Sequence, residues 1–312
     1  MSKNQKAVIL GCTGQDGALM AKSLIEQGIE PIGVSTKSKP NLKNLRYLNL
    51  STIEVRSIKQ LSIDELQDLI EHIKPIEIYN LSAQSSVGLS FSKVFETFES
   101  ISNQTNKLLE ACRISNFKGR IFFAGSSEIF GNTKTPATTL TKTNPQSPYA
   151  IAKIASMNMV KLYRETYGIK CVTGILFNHE SELRDESFVT QKIIKGAVKS
   201  KTNKSFKINL GNLNVERDWG WAEEYITGMQ EITRAKRLKD QVICTGKSIS
   251  LKKFAQLAYE RLDLDWRNYI DVKEEFFRPM DIQKSIGDPE PMAKDLNWKA
   301  KIIYSDVIEK LI

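Results

Sequence analysis

The chain has 312 residues, of which 41% are hydrophobic and 26% charged, with a formal net charge of +9. That length admits one two-lobed domain or two small ones with ample core, and that balance belongs to a soluble globular chain rather than a disordered or fibrous one. The lysines are scattered, without a basic block, a basic-aromatic repeat or a nucleic-acid-binding motif, so no nucleic-acid partner is expected and a small anionic substrate fits the charge as well. Four cysteines (Cys12, Cys112, Cys171, Cys244) stand far apart with no CxxC, which reads as buried thiols in a reducing cytosol. With only two histidines in the chain, no His-based metal site is expected. The N-terminal MSKNQK leads straight into a strand pattern, and no apolar run is long enough to span a bilayer, so the expectation is a cytoplasmic protein with no membrane partner.

Residues 7–10 (AVIL) form a continuous apolar run, the pattern of a strand buried on both faces. GCTGQDG follows, with Gly11, Gly14 and Gly17 at GxxGxxG spacing, and a helical pattern runs from Asp16 to Gln27. Strand, glycine turn and helix are the context that a dinucleotide site requires. The glycines permit a tight turn, close approach of the backbone to a pyrophosphate and close packing of helix on strand. IEPIGVS predicts a second strand, and it runs into Ser35, Thr36, Lys37, Ser38 and Lys39 with no acid. An acid at that point serves the ribose 2′-hydroxyl of NAD, whereas a 2′-phosphate prefers cations. Thr36 and Lys37 therefore lean towards NADP, with NAD as the alternative.

Further strands are predicted over 53–57 and 76–83, with a helix over 63–73 between them. QSSVGLSF places small polar residues just past a strand's C-terminal end, where an open parallel sheet binds its ligand. A helix over 93–114 carries Phe95, Phe98, Ile101, Leu108 and Leu109 at helical spacings, read as core. The apolar run from residue 121 then breaks on Gly125, Ser126 and Ser127, Glu128 follows, and Tyr149 and Lys153 stand four residues apart. Near a helix start, that spacing sets phenol and ammonium on one face, one turn apart. A nearby cation lowers a phenol's pKa, so such a tyrosine can take a proton from an alcohol while a cofactor takes the hydride. Ser126 can hydrogen-bond the same hydroxyl, and Glu128 is a second acid–base group. Without its context, the same set is an ordinary amphipathic helix with a surface lysine and a helix-start carboxylate.

KCVTGILF (170–177) predicts the next strand, and the β-α alternation gives an α/β fold, a Rossmann-type doubly wound parallel sheet. Beyond Phe177 short strands, loops and helices mix, which reads as a smaller C-terminal substrate-binding lobe. The expected division is 1–177 plus about 217–245 for the dinucleotide-binding domain, and about 178–216 and 246–312 for the lobe.

Taken together, GCTGQDG, IYNLSAQSSVGLSF, SSEIFG, SPYAIAK, GILFNHES, FVTQKI, LGNLNVERDWGWAEEY, FFRP and GDP resemble the extended short-chain dehydrogenase/reductase superfamily. Within it, they are similar to the GDP-mannose 4,6-dehydratases over nearly the whole chain. GxxGxxG and YxxxK identify only the superfamily, whereas FNHES and LGNL…RDWG are far more specific. The resemblance implies a catalytic set of Ser126, Glu128, Tyr149 and Lys153 and no metal. It implies cofactor contacts from Gly11, Thr13, Gly14, Gln15, Asp16, Gly17, Leu81, Ala83, Ser85, Tyr149, Lys153, His179 and Arg184. It implies GDP-sugar contacts from Ser85, Asn178, Lys192, Arg217, Arg278 and Asp281, where arginines suit a diphosphate. A homo-oligomer, dimer or tetramer, is also implied.

Several positions depart from the family pattern. Its active-site threonine is Ser126, its paired arginines after the second strand are replaced around Thr36 and Lys37, and an acid after the third strand is Ser57. A second arginine pair is reduced to Leu183 and Arg184, and Asp281 stands where the family carries Glu. These departures suggest a divergent branch. The alternatives are a GDP-heptose dehydratase, another nucleotide-sugar decarboxylase or C4 epimerase, and a non-catalytic NADP-binding regulatory protein. Glu128 argues against a simple epimerase, and the intact catalytic set argues against the regulatory protein.

Overall fold

In the computed structural model, which describes residues 5–312, the first apolar run is β1 (Lys6–Leu10) and the glycine turn feeds α1 (Gln15–Glu26). The alternation continues through β2 (Glu30–Ser35), α2 (Lys43–Tyr47), β3 (Val55–Ser57), α3 (Ile63–Ile73) and β4 (Glu77–Asn80). A capping box starts α3: the Ser62 side chain accepts from Glu65 N–H at 3.3 Å, and the Glu65 carboxylate accepts from Ser62 N–H at 2.9 Å. Next come α4 (Val87–Ser92), α5 (Val94–Phe98) and α6 (Gln104–Ile114), the last two joined by a π-helical turn over Glu99–Asn103. β5 (Arg120–Ala124), α7 (Pro148–Tyr167) and β6 (Cys171–Leu176) complete this half.

The C-terminal half runs β7 (Asn178–Glu180), α8 (Val189–Thr202), β8 (Ile208–Leu210), β9 (Glu216–Trp221), α9 (Ala222–Arg234) and β10 (Gln241–Ile243). It ends with β11 (Ser248–Ser250), α10 (Leu251–Glu260), β12 (Ile270–Val272), β13 (Lys284–Ser285), α11 (Glu290–Leu296) and α12 (Tyr304–Leu311).

Seven parallel strands form the main sheet in the order β10-β6-β5-β4-β1-β2-β3. Alternation along each strand supplies both faces of the core. Ala7, Ile9, Tyr79, Phe122 and Val172 pack beneath α1 and α9, while Val8, Leu10, Ile78, Ile121 and Phe123 pack against α3, α6 and α7. This is the Rossmann-type doubly wound sheet expected from the sequence, with helices covering both faces.

A third core joins α8, α10 and α12 to β8, β9 and β12 through Ile193, Trp219, Phe254, Tyr259, Ile270 and Ile308. Its sheets are β11-β9-β13, with β7 also on β9, and a β12-β8 pair. The two halves interleave, because α9 packs across α1 and β10 closes the edge of the main sheet. Buried Asp218 on β9 accepts from Thr245 N–H at 3.1 Å, Thr245 Oγ1 at 2.6 Å and Gly246 N–H at 2.8 Å, tying the smaller sheet to the chain just past β10. The boundary expected near residue 217 therefore falls inside β9, and α11 packs against β10.

Phe95 departs from the sequence reading: it is 89% exposed rather than core. The buried stripe of this segment passes through Thr97, Ile101, Thr105 and Leu108, and Phe95 points away from it, two residues before Thr97. All four cysteines are free and buried.

Candidate active site

A cleft of about 430 Å³ opens between the C-terminal ends of the main-sheet strands and the smaller half. The segment after β4 contributes Leu81, Ala83 and Ser85 to its lining. Ser126 and Glu128 enter from the turn after β5, and Tyr149 and Lys153 from the first turns of α7. Asn178, His179 and Arg184 follow β6, and the far wall holds Lys192, Arg217, Arg278 and Asp281.

The turn after β5 is shaped by Ser126, whose hydroxyl accepts from Glu128 N–H at 3.3 Å and so fixes the residue that follows it into the cleft. α7 starts on Ser147, which accepts from Ala150 N–H at 3.1 Å, with Pro148 at its first position. Tyr149 thus stands at the helix start, and Lys153 lies one turn on, its Nζ 5.6 Å from the Tyr149 ring centre. The ammonium donates to the Ala124 carbonyl at 2.7 Å rather than to the phenol.

The expectation that Lys153 lowers the Tyr149 pKa does not hold in this arrangement. Burial pushes the phenol up to about 12; the adjacent Ser126 hydroxyl acts in the opposite direction, and the Glu128 charge raises it further. Burial also draws Lys153 down to about 8, partly opposed by Asp16. Both groups are almost wholly buried, and desolvation is the largest influence on each.

The glycine turn is built for close approach. Gly11 has φ +84°, and a Cβ there would lie 2.8 Å from Ser82 backbone atoms. At Gly17 a Cβ would lie 2.2 Å from the Gly11 carbonyl oxygen, so α1 can sit this near the turn only without a side chain. Gly14 precedes α1 and offers no side-chain cap, which leaves the helix's first N–H groups available for an anion. The donor geometry and the bare glycine cradle fit the diphosphate of a dinucleotide.

Gln15 donates to His179 O at 3.3 Å and accepts from Ser181 Oγ at 2.9 Å. Asp16 faces His179 Nε2 at 3.0 Å, and His179 Nδ1 meets the Phe177 carbonyl at 2.7 Å. Burial raises the Asp16 carboxyl, but His179 and Gln15 outweigh it and hold the acid well below its usual range. The same carboxylate outweighs burial at His179 and raises the imidazole. Of the other turn residues, Thr13 uses its carbonyl to accept from Asn44 Nδ2 at 3.1 Å.

Thr36 and Lys37 do not line the cleft; they are exposed just beyond β2, beside the turn. Lys37 N–H donates to Ser35 Oγ at 3.2 Å, and its carbonyl accepts from Ser57 Oγ at 2.8 Å. That leaves the Lys37 ammonium unengaged by these contacts.

On the far wall Arg217 is buried, donating to the Ile282 carbonyl at 2.7 Å with Asp281 3.5 Å away. Burial lowers its pKa, and the Glu128 charge opposes that shift. Arg278 approaches Asp281 at 3.9 Å. Sequence reasoning passed over Glu180, Phe188, Asn209 and Phe276, which also line the cleft. Glu180, Phe188 and Phe276 sit inside strings quoted for the resemblance, but no local pattern marks any of the four for the cleft. Among the described residues no cluster of His, Cys, Asp or Glu is arranged to hold a metal ion, and no helix is long and apolar enough to cross a membrane.

Residues 8–311 match the family model described as GDP-mannose 4,6 dehydratase. GDP-mannose 4,6 dehydratase 1 of Arabidopsis thaliana is 33% identical over 318 residues, which cover 98% of this chain and 88% of the relative. Among solved structures, a dTDP-glucose 4,6-dehydratase from Bacillus anthracis in complex with NAD superposes with a TM-score of 0.85 at 15% identity, covering 98% of this chain and 95% of its own. RMD from Pseudomonas aeruginosa, complexed with NADPH, gives a TM-score of 0.80 at 17% identity, with coverage of 98% and 97%. At these identities the structural likeness is one of fold.

Proposed function

The chain belongs to the GDP-mannose 4,6-dehydratase family, and we propose from that membership that it converts a GDP-hexose to its 4-keto-6-deoxy derivative with loss of one water. The observation that carries this reading is the convergence of Ser126, Glu128, Tyr149 and Lys153 on one cleft that also holds Arg217 and Arg278. A nicotinamide dinucleotide bound at the glycine turn would take the hydride from C4 and return it to C6.

The remaining work falls to the chain. Tyr149 takes the proton of the 4-hydroxyl, with the Ser126 hydroxyl beside it and the Lys153 ammonium 5.6 Å from its ring centre. The 4-ketone acidifies the C5 proton, because the resulting carbanion delocalises into the carbonyl. Glu128 removes that proton and delivers one to the departing C6 hydroxyl, so that water leaves. With the hydride returned at C6, C5 takes a proton from Tyr149, which gives back the one it drew from the 4-hydroxyl, so both residues end the cycle as they began it. Arg217, Arg278 and Lys192 supply positive charge for the sugar diphosphate, with Asn178, Ser85 and Asp281 as polar contacts.

The division of labour we read is a dinucleotide lobe built on the main sheet, with α9 and β10 returning to it, and a sugar-nucleotide lobe built on the third core. Thr36 and Lys37, with no acid beyond β2, favour NADP over NAD. Calorimetry on cofactor-stripped protein is expected to show the tighter binding for NADP, and equal affinity or an NAD preference would reject that part. The whole reading is tested by incubating the purified protein with GDP-, UDP- and dTDP-hexoses and following masses. Loss of one water from GDP-mannose alone is the expected result, and no loss of water from any GDP-sugar would overturn it.

A further inference from the structure

Glu180 lies 1% exposed at the end of β7, directly behind Arg184 at the edge of the cleft. Its Oε2 is 3.5 Å from Arg184 Nε, and neither atom completes a hydrogen bond among the described residues. The Thr190 hydroxyl stands beside the carboxyl, also without closing a hydrogen bond. On the other side, the Arg184 guanidinium lies over the Phe188 ring, 3.8 Å from its centre. A guanidinium with a carboxylate near its Nε and a ring across one face has its two Nη groups left for a further partner.

Leaving a buried charge pair this loosely closed is costly unless a further charge completes it. Asp16 and His179, the other ionisable groups near Glu180, already pair with each other. The Nη groups of Arg184 make no hydrogen bond among the described residues, and the residue borders the cleft, so an anion there is the partner open to them.

We propose that Glu180 is a positioning residue, which together with Phe188 holds Arg184 so that its Nη edge meets the diphosphate of the dinucleotide. This rests on the reading above that the cleft takes a nicotinamide dinucleotide. Burial raises the Glu180 carboxyl, and the Arg184 charge opposes that rise, as expected of an acid kept in place for its neighbour. Glu180 touches neither substrate nor cofactor in this assignment and acts through Arg184 alone.

A double-mutant cycle on NADP affinity, measured by calorimetry with the purified chain, tests this directly. Glu180→Gln keeps the shape and removes the charge, and is expected to weaken NADP binding about tenfold, on the order of one charge-assisted hydrogen bond lost. Phe188→Leu is expected to weaken it in the same direction, and it carries the test if Glu180→Gln does not fold. In an Arg184→Ala background, Glu180→Gln should change nothing further. Unchanged or tighter binding by Glu180→Gln would overturn the proposal, as would an equal loss in the Arg184→Ala background, which would mark a merely structural role. Wild-type protein that binds neither NADP nor NAD would overturn the cofactor reading and this inference with it. Normal wild-type binding with a silent Glu180→Gln would overturn the inference alone.

Discussion

Tyr149 and Glu128 reach the same cleft from different elements, one from the start of α7 and the other from the turn after β5. That separation lets the two chemical half-steps be tested apart. Glu128→Gln keeps the side chain's size and leaves Tyr149, Lys153 and Ser126 untouched, so oxidation at C4 should still proceed with GDP-mannose. Elimination should not, and reduced cofactor absorbance should accumulate while water loss falls by about 10²–10⁴-fold. Unchanged dehydration would move the acid–base role elsewhere. The Asp16–His179 pair makes a second prediction, on stability. Because the folded imidazole is raised, its contribution is fully present below the ordinary value of about 6.5 and is lost as pH climbs through the folded value. Because the Asp16 carboxyl is depressed, its contribution is present above about 3.9 and is lost on acidification. The melting-temperature gap between wild type and His179→Gln, without cofactor, should therefore be widest near about pH 5–6 and narrow as the pH rises. A gap that stays constant from acid to alkaline pH would sink the ion pair.

At the scale of elements, the glycine turn is the most exacting piece. An alanine at position 17 would drive a methyl group into the Gly11 carbonyl at 2.2 Å and the Cys12 Cα at 2.6 Å, and backbone cannot yield as a side chain does. Gly17→Ala is expected to cost about 1–3 kcal/mol in stability and to weaken dinucleotide binding. Melting and calorimetry that match wild type would contradict the close-packed turn. This turn was legible in the sequence because strand, glycines and helix are local and contiguous, and the same holds for the Tyr149–Lys153 pair, whose spacing a single helix fixes. β1 was legible as a continuous apolar run, and strands were also expected over the segments that hold β4 and β6. Phe95 was misread because its apolar spacing says nothing about where the buried stripe runs ahead of the π-helical turn. β9 was missed because it carries Arg217 and Asp218, and the groups that satisfy Asp218 lie 27 and 28 residues further on. The effect on Tyr149 was misjudged for a similar reason: spacing reveals a neighbour, but burial depends on the whole fold.

For the whole molecule, the interleaving of the two halves puts the cleft where chemistry from the main sheet meets charge from the third core. It also leaves Leu89, Val94, Phe95 and Ile151 exposed on α4, α5 and α7, which pack together. Apolar side chains grouped in this way favour association, in keeping with the homo-oligomer that the family resemblance implies. Sedimentation should show an assembly for wild type that Phe95→Asp shifts towards monomer, and a monomeric wild type would dismiss it. The central claim is one of internal hydride return, and the most direct measurement follows deuterium placed at C4 of GDP-mannose. With catalytic amounts of cofactor, the account requires a product that has lost one water and carries the deuterium at C6. Deuterium retained at C4, or a product that keeps its full complement of oxygen, would contradict it.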